Sequence, residues 1–204
     1  MLLGAPKTGT VTGKMEFPGG NANRRVAVEK YTGKISGKVA RPPMKRAGVW
    51  LTREGLTAPK NPKQVTLEQK EYQFGESLLA VSRGTEVFFP NEDQDYHNVF
   101  SLSRAKRFDL GRYKKGEKPV PSILFDKLGL IDVRCEIHEH MRALVLVVES
   151  PYVVVTDEDG AFQLKGIPVG TYTLHAQLDK KVRWESEVTV TGNKTVQVQP
   201  KRVK

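Results

Sequence analysis

The single cysteine of the chain and three of its four histidines fall between residues 97 and 141. They stand in two runs, His97-Asn98-Val99-Phe100 and Cys135-Glu136-Ile137-His138-Glu139-His140-Met141. A lone cysteine makes no internal disulfide, so its chemistry is that of a thiol or a ligand. Cys135 closes one apolar stretch and Met141 opens the next, so a short turn joins them and Cys135, His138 and Met141 can converge on one point. His97 follows the polar segment Asn91-Glu92-Asp93-Gln94-Asp95 and can arrive from a neighbouring strand. Two imidazoles, a thiolate and a weak thioether form the donor set that copper uses in one-electron sites, with the thioether axial and distant. Zinc prefers four strong donors and has no use for a thioether. The residue types alone leave other readings open. Cys135 could be an inert buried thiol and Met141 a core residue, and C-x-x-H-x-H could hold zinc. His140 could be an exposed loop histidine, an imidazole at an electron-exit surface or an alternative ligand.

The elements that must position these residues read as strands. Residues 10–17 alternate apolar and polar, as a half-buried strand does, and Pro18-Gly19-Gly20-Asn21 breaks them. Short strands are expected at 26–28, 35–40 and 49–51, with a linker over 55–63. "TGTVTGKMEFP" and "TGKISGKVARP" form a weak internal echo 24 residues apart. Strand centres follow at Val65–Leu67, Tyr72–Phe74, Leu78–Val81 and Val87–Phe89, with Arg83-Gly84 as a turn. Residues 103–119 are polar and basic and read as a long loop. Strands resume at 123–125 and 130–133, and the apolar run Leu144 to Val148 is typical of a strand buried on both faces. In the tail, Val153–Val155 leads to the turn Thr156-Asp157-Glu158-Asp159-Gly160, and Gly166 to Gly170 is a second turn. Phe162 and Leu164, then Tyr172, Leu174 and Ala176, alternate with polar residues. Val188–Val190 and Val196–Val198 read as a closing hairpin around Gly192-Asn193. His175 falls on a polar, exposed face, and Asp157 and Asp159 read as turn residues with incomplete spacing for calcium. No stretch carries a helical period, so the expected class is all-β.

With 204 residues the chain can bury a core without staples. Apolar residues at 38% and charged residues at 27% argue against wholesale disorder. No apolar run approaches the roughly 20 residues of a membrane-spanning helix. Lys and Arg number 33 against 23 Asp and Glu, a net charge of +10, which favours an acidic partner. Arg104, Lys106, Arg107, Arg112, Lys114, Lys115 and Lys118 concentrate in one segment against Asp109 and Glu117. They are either a solvated loop or a surface that steers an acidic redox partner. Nothing presents them to bases, so nucleic acid is not an expected partner. The opening Met1-Leu2-Leu3-Gly4-Ala5-Pro6 does not qualify as a secretory signal.

The run C-E-I-H-E-H-M fits C-x-x-H-x-x-M, and here the sequence resembles the amicyanin-like cupredoxins. "TEVFFPNEDQDYHNV" is similar to the segment that brings the first histidine in that family, and "FDKLG" to the turn before its cysteine strand. The resemblance covers roughly residues 63–149. It implies a Greek-key β-sandwich with one type 1 copper ion. By position, His97, Cys135 and His138 would be equatorial ligands, Met141 the axial one, and Asn98 the residue tying the two ligand segments together. Ile131, Val133 and His140 stand where that family commonly has aromatics. The tail "VTDEDGAFQLKGIPVGTYTLHA" resembles the carboxypeptidase regulatory-like, transthyretin-type β-sandwich, whose first strands read like "ISGKVARPPMKRAGVWLT". The implied organisation is N-terminal strands over 1–56, a cupredoxin over 57–149 and a regulatory-like sandwich over 150–204, completed by residues 8–56.

These resemblances imply an electron carrier of the periplasm or cell envelope, making and breaking no substrate bond. Its partners would be an acidic redox protein and an envelope assembly, with no nucleic acid and no direct membrane insertion. A structural or interaction module with an incidental or stabilising metal is the alternative. An oxidase or reductase would need further histidine clusters for a second copper centre, which the four histidines of the chain cannot supply beside His97 and His138. Copper delivery or storage would predict a labile metal.

Overall fold

The structure, a computed structural model, describes residues 7–18 and 45–203. The strands expected at 26–28 and 35–40, and with them the second copy of the internal echo, lie outside the described residues. Among the described residues there is no helix, and hence none long and apolar enough to cross a membrane. The chain is all-β, as its alternation predicts.

The strands begin with β1 (Thr8–Lys14) and β2 (Gly48–Thr52). Ten follow closely: β3 (Val65–Thr66), β4 (Gln69–Lys70), β5 (Gln73–Phe74), β6 (Leu78–Ser82), β7 (Thr85–Phe88), β8 (His97–Leu102), β9 (Arg107–Tyr113), β10 (Ser122–Phe125), β11 (Gly129–Arg134) and β12 (Arg142–Val148). The tail adds β13 (Val153–Val155), β14 (Ala161–Pro168), β15 (Gly170–Gln177), β16 (Arg183–Val190), β17 (Thr195–Val198) and β18 (Lys201–Arg202).

One sandwich sets the sheet β6-β12-β11-β8-β9 against β10-β7-β3. The pairings β6/β12 and β3/β7 are parallel and the others antiparallel, an order that requires Greek-key crossovers. Its core includes Phe89, Val99, Phe125, Ile131, Val133 and Val145, all fully buried. The second sandwich sets β13-β2-β15-β16-β18 against β14-β1-β17. Strands from both ends of the chain build it: β1 pairs with β14 and β17, and β2 with β13 and β15. Gly13 shows how tightly β1 is held, since a Cβ there would fall 2.4 Å from the Val198 carbonyl oxygen.

β12 serves both bodies. Ala143, Val145 and Val147 enter the first core, while Leu144, Leu146 and Val148 join Leu78 in a cluster against Trp50, Val153 and Val155. The continuous apolar run is thus buried on both faces, each leucine contributing about 1.5–3 kcal/mol of burial. At the junction the buried Ser150 hydroxyl donates to the Leu51 carbonyl (2.6 Å), and the Ser82 hydroxyl donates to the Ser150 carbonyl (2.7 Å).

Four sequence expectations need correction. Residues 103–119 are not one long loop, because Arg107–Tyr113 form β9, paired with β8. Phe108 and Leu110 alternate there with Arg107 and Asp109, and the flanking charge hides the alternation. The turn expected over residues 166–170 is confined to Val169: β14 runs to Pro168 and β15 starts at Gly170, with Ile167 fully buried. Val188–Val190 and Val196–Val198 do not form a hairpin, because β16 pairs with β15 and β18 while β17 crosses to lie parallel to β1. Finally, His175 is not free on a polar face. It is half-buried, stacks on Trp50 with ring centroids 5.2 Å apart, and lies 2.8 Å from Thr52 Oγ1 and 3.3 Å from a Glu185 carboxylate oxygen.

Candidate metal centre

Three adjacent strands of the larger sheet bring the chemical residues to one end of the first sandwich. His97 is the first residue of β8, Cys135 directly follows β11, and Met141 directly precedes β12. The 135–141 turn is closed by its own backbone: the Met141 N–H donates to the His138 carbonyl (2.9 Å), and the Cys135 N–H to the Met141 carbonyl (3.3 Å). A bulge in the β8/β9 register between Asn98 and Phe100 bends the strand beside the site. Asn98, buried next to His97, accepts the Glu136 N–H on its Oδ1 (2.7 Å) and donates from Nδ2 to Asp109 (2.9 Å). One side chain therefore ties the His97 strand to the cysteine turn.

The potential ligand atoms of His97, Cys135 and His138 all lie within 4.8 Å of one another, and all three residues are buried. The two Nδ1 atoms are 2.9 Å apart, and Cys135 Sγ is 3.8 Å from His138 Nδ1. Met141 is also buried at this end, in the same core cluster as Cys135. His140 lies outside the convergent group. It is not an exposed loop histidine either: it is buried, and its Nε2 is 2.8 Å from the Tyr72 carbonyl oxygen.

Burial raises the Cys135 thiol pKa, but the His138 and His97 rings and the Asn98 and His138 N–H groups outweigh it and bring it to about 6. A thiolate is therefore accessible near neutral pH, which metal ligation requires. Burial opposes the charged form of His97, yet the thiol and Asp93 together hold its pKa above the usual histidine value. The Asp93 carboxylate is pushed up by burial, and more strongly down by the Tyr72 and Glu71 N–H groups and His97.

The surroundings contain residues that sequence reasoning missed. Asp93 Oδ2 is 2.8 Å from His97 Nε2, which fixes the ring with Nδ1 inward. Its two oxygens also accept the Glu71 N–H (2.8 Å) and the Tyr72 N–H (2.9 Å). Glu71 and Tyr72 form the two-residue connection between β4 and β5, with φ of +53° and +58°. Two left-handed residues in succession suit Asn-Gly, and without glycine each costs about 1–2 kcal/mol. The Tyr72 ring stands edge-to-face with His97 (centroids 5.8 Å) and His138 (5.1 Å). Its hydroxyl bonds Asp95, and that carboxylate, more than burial, pushes the phenol up to about 12. The acidic residues four and two positions before His97 were the available signal for this shell.

The donor set fits a metal with imidazole and thiolate affinity. His97, Cys135 and His138 would hold such an ion, the imidazoles through Nδ1 and the cysteine as its thiolate. One proton between the two inward Nδ1 atoms makes an ordinary hydrogen bond at 2.9 Å, and a metal bound there would take its place. Elsewhere, Asp157 Oδ1 accepts the Asp159 and Ala161 N–H groups, as a turn residue does.

Residues 141–201 match the family model of the carboxypeptidase regulatory-like domain, a span that starts inside the first sandwich and takes in β12. No curated protein matches the chain. Among solved structures, the chain is similar to a Cu-containing nitrite reductase (NirK) from Thermus scotoductus SA-01, at 26% identity and a TM-score of 0.40, over 48% of this chain and 25% of that one. The chain thus spans only a quarter of that reductase. It is also similar to a purple cupredoxin from Nitrosopumilus maritimus (20% identity, TM-score 0.36, 41% of this chain and 99% of that one). Amicyanin from Paracoccus versutus gives 21% identity and a TM-score of 0.38, over 49% of this chain and 97% of that one.

Proposed function

We propose that this protein is an electron carrier in which His97, Cys135 and His138 would hold one copper ion, with the Met141 thioether as a further, weak donor. The observation that carries this reading is the convergence of two imidazole Nδ1 atoms and one low-pKa thiol in a buried pocket. Copper bound there would supply a Cu(I)/Cu(II) couple. The chain's own part is to hold the donors rigidly, keep the thiol ionised and exclude water. Asp93 fixes His97, Asn98 fixes the cysteine turn, and core side chains wall the sulfur.

Residues 57–149 form the copper unit in this proposal, and residues 8–56 with 150–204 the second sandwich. The resemblance to envelope cupredoxins with such a tail supports a periplasmic or envelope setting. An acidic redox protein is the partner proposed for the basic stretch around β9. Arg112, exposed on that strand, pairs with Glu136 beside Cys135 at 3.4 Å, which carries the charged surface up to the metal end. Association through it should slow steeply with added salt.

The test is titration of the purified chain with Cu(II). An intense visible thiolate-to-copper band should grow to one equivalent, bleach on reduction, return on oxidation, and be missing in C135A. A colourless protein that binds zinc as well as copper would defeat the carrier reading in favour of a structural metal.

A further inference from the structure

We infer that Tyr72 is a cover over the metal pocket, closing the outward edge of His138 to water and small ligands. The proposal rests on the metal reading for the identity of what lies beneath, but its geometry stands apart from any ion.

Three observations carry it. His138 is buried at its outer edge too: its Nε2 is out of solvent and has no hydrogen-bond partner among the described residues. A ligand imidazole that offers that edge to solvent would have its Nε2 hydrated. Here the Tyr72 ring stands edge-to-face at 5.1 Å from His138 and also contacts His97. Second, Tyr72 sits where the backbone resists it. Its φ of +58° follows the +53° of Glu71, in a two-residue turn that glycine or asparagine would form more readily. Strain at such a position persists where the surroundings over-determine it. Third, those surroundings are dedicated to Tyr72. Asp93 accepts its N–H, Asp95 accepts its hydroxyl, and its carbonyl is bonded by His140. Asp93 also holds His97, so one carboxylate positions both a ligand and the cover. This gives His140 a role as well, as the anchor of the turn from below.

The experiment uses the full chain with and without metal. In metal-free protein, alkylation of Cys135 by iodoacetamide is timed for wild type, Y72F, Y72G and Y72N. Glycine and asparagine both accept the left-handed backbone, so neither exchange should cost folding, and thermal unfolding is recorded beside each rate. Wild type and Y72F should react slowly, and Y72G and Y72N roughly tenfold faster or more. In the copper-loaded protein, azide should leave the wild-type spectrum unchanged and shift that of Y72G. Equal alkylation rates in wild type and both opened variants would overturn the cover. So would Y72F reacting as fast as Y72G, which would make the hydroxyl bond, not the ring, the barrier. Because the thiol assay needs no metal, its failure leaves the copper reading intact, and a colourless copper titration leaves the cover intact.

Discussion

Asp93 grips His97 from outside the pocket, its Oδ2 lying 2.8 Å from the ring Nε2. The same carboxylate receives the Glu71 and Tyr72 N–H groups, so D93N removes a charge from three contacts at once. Metal affinity should fall 10- to 100-fold, the usual cost of losing a partner of a ligating histidine. Competition with a chelator of known affinity measures it, and unchanged affinity would show that the ring is held by packing alone.

Asn98 predicts a different loss. N98A strands the Glu136 N–H and takes one donor from Asp109, which keeps the Gly111 N–H at 3.0 Å. The metal-free protein should lose about 1–3 kcal/mol, read as a lower urea midpoint with an unchanged slope. N98D, which keeps an acceptor for the Glu136 N–H, should recover part of it.

The acid limb of stability should depend on Asp132. Burial pushes its pKa up, but the Arg134 and Arg142 side chains, at 2.8 and 2.6 Å, more than offset this and leave it below the ordinary aspartate value. Its stabilisation is therefore complete above the unfolded aspartate pKa, near 4, and disappears as pH falls through the lower folded value. D132N should lose about 1–2 kcal/mol at pH 7 and show a shallower decline on acidification. Urea unfolding across pH 2 to 7, at roughly unit steps around these pKa values, compares the two proteins. Parallel curves would show the ion pairs to be idle.

Leu146 lies on the β12 face turned to the second sandwich, where its methyl group would clash with any side chain at Gly48. L146A should cost about 2–5 kcal/mol and loosen the contact between the two bodies. Hydrogen exchange should then rise in β2 and β13 as well as in β12. Exchange confined to β12 would mean that the two sandwiches rely little on each other.

The strands were legible where alternation ran clear of charge. β1, β11 and β15 follow from their apolar spacing, and β12 from a run with no polar residue at all. β9 was hidden because Arg107, Asp109 and Arg112 outweigh Phe108 and Leu110 in any reading by polarity. The crossing of β17 was illegible because a two-residue turn signal at Gly192-Asn193 says that the chain reverses, not which sheet it rejoins. The sequence brought out the residue types at the metal end. Their fixing by Asp93 and Tyr72 was not visible, since a hydrogen bond to a strained turn some twenty residues upstream leaves no periodic trace. His140 and His175 were misplaced for one reason: a polar side chain reads as exposed until its partners, the Tyr72 carbonyl and Trp50 with Thr52, are known.

Thr10 sits beside Thr195 in the β1/β17 pairing, almost the whole length of the polypeptide apart. As the chain leaves the ribosome, β1 and β2 emerge before β3 to β12 and must wait for partners made after them. Every strand that frames Cys135 is synthesised in between. The end that gathers His97, Cys135 and His138 can therefore be complete while its companion is still half built.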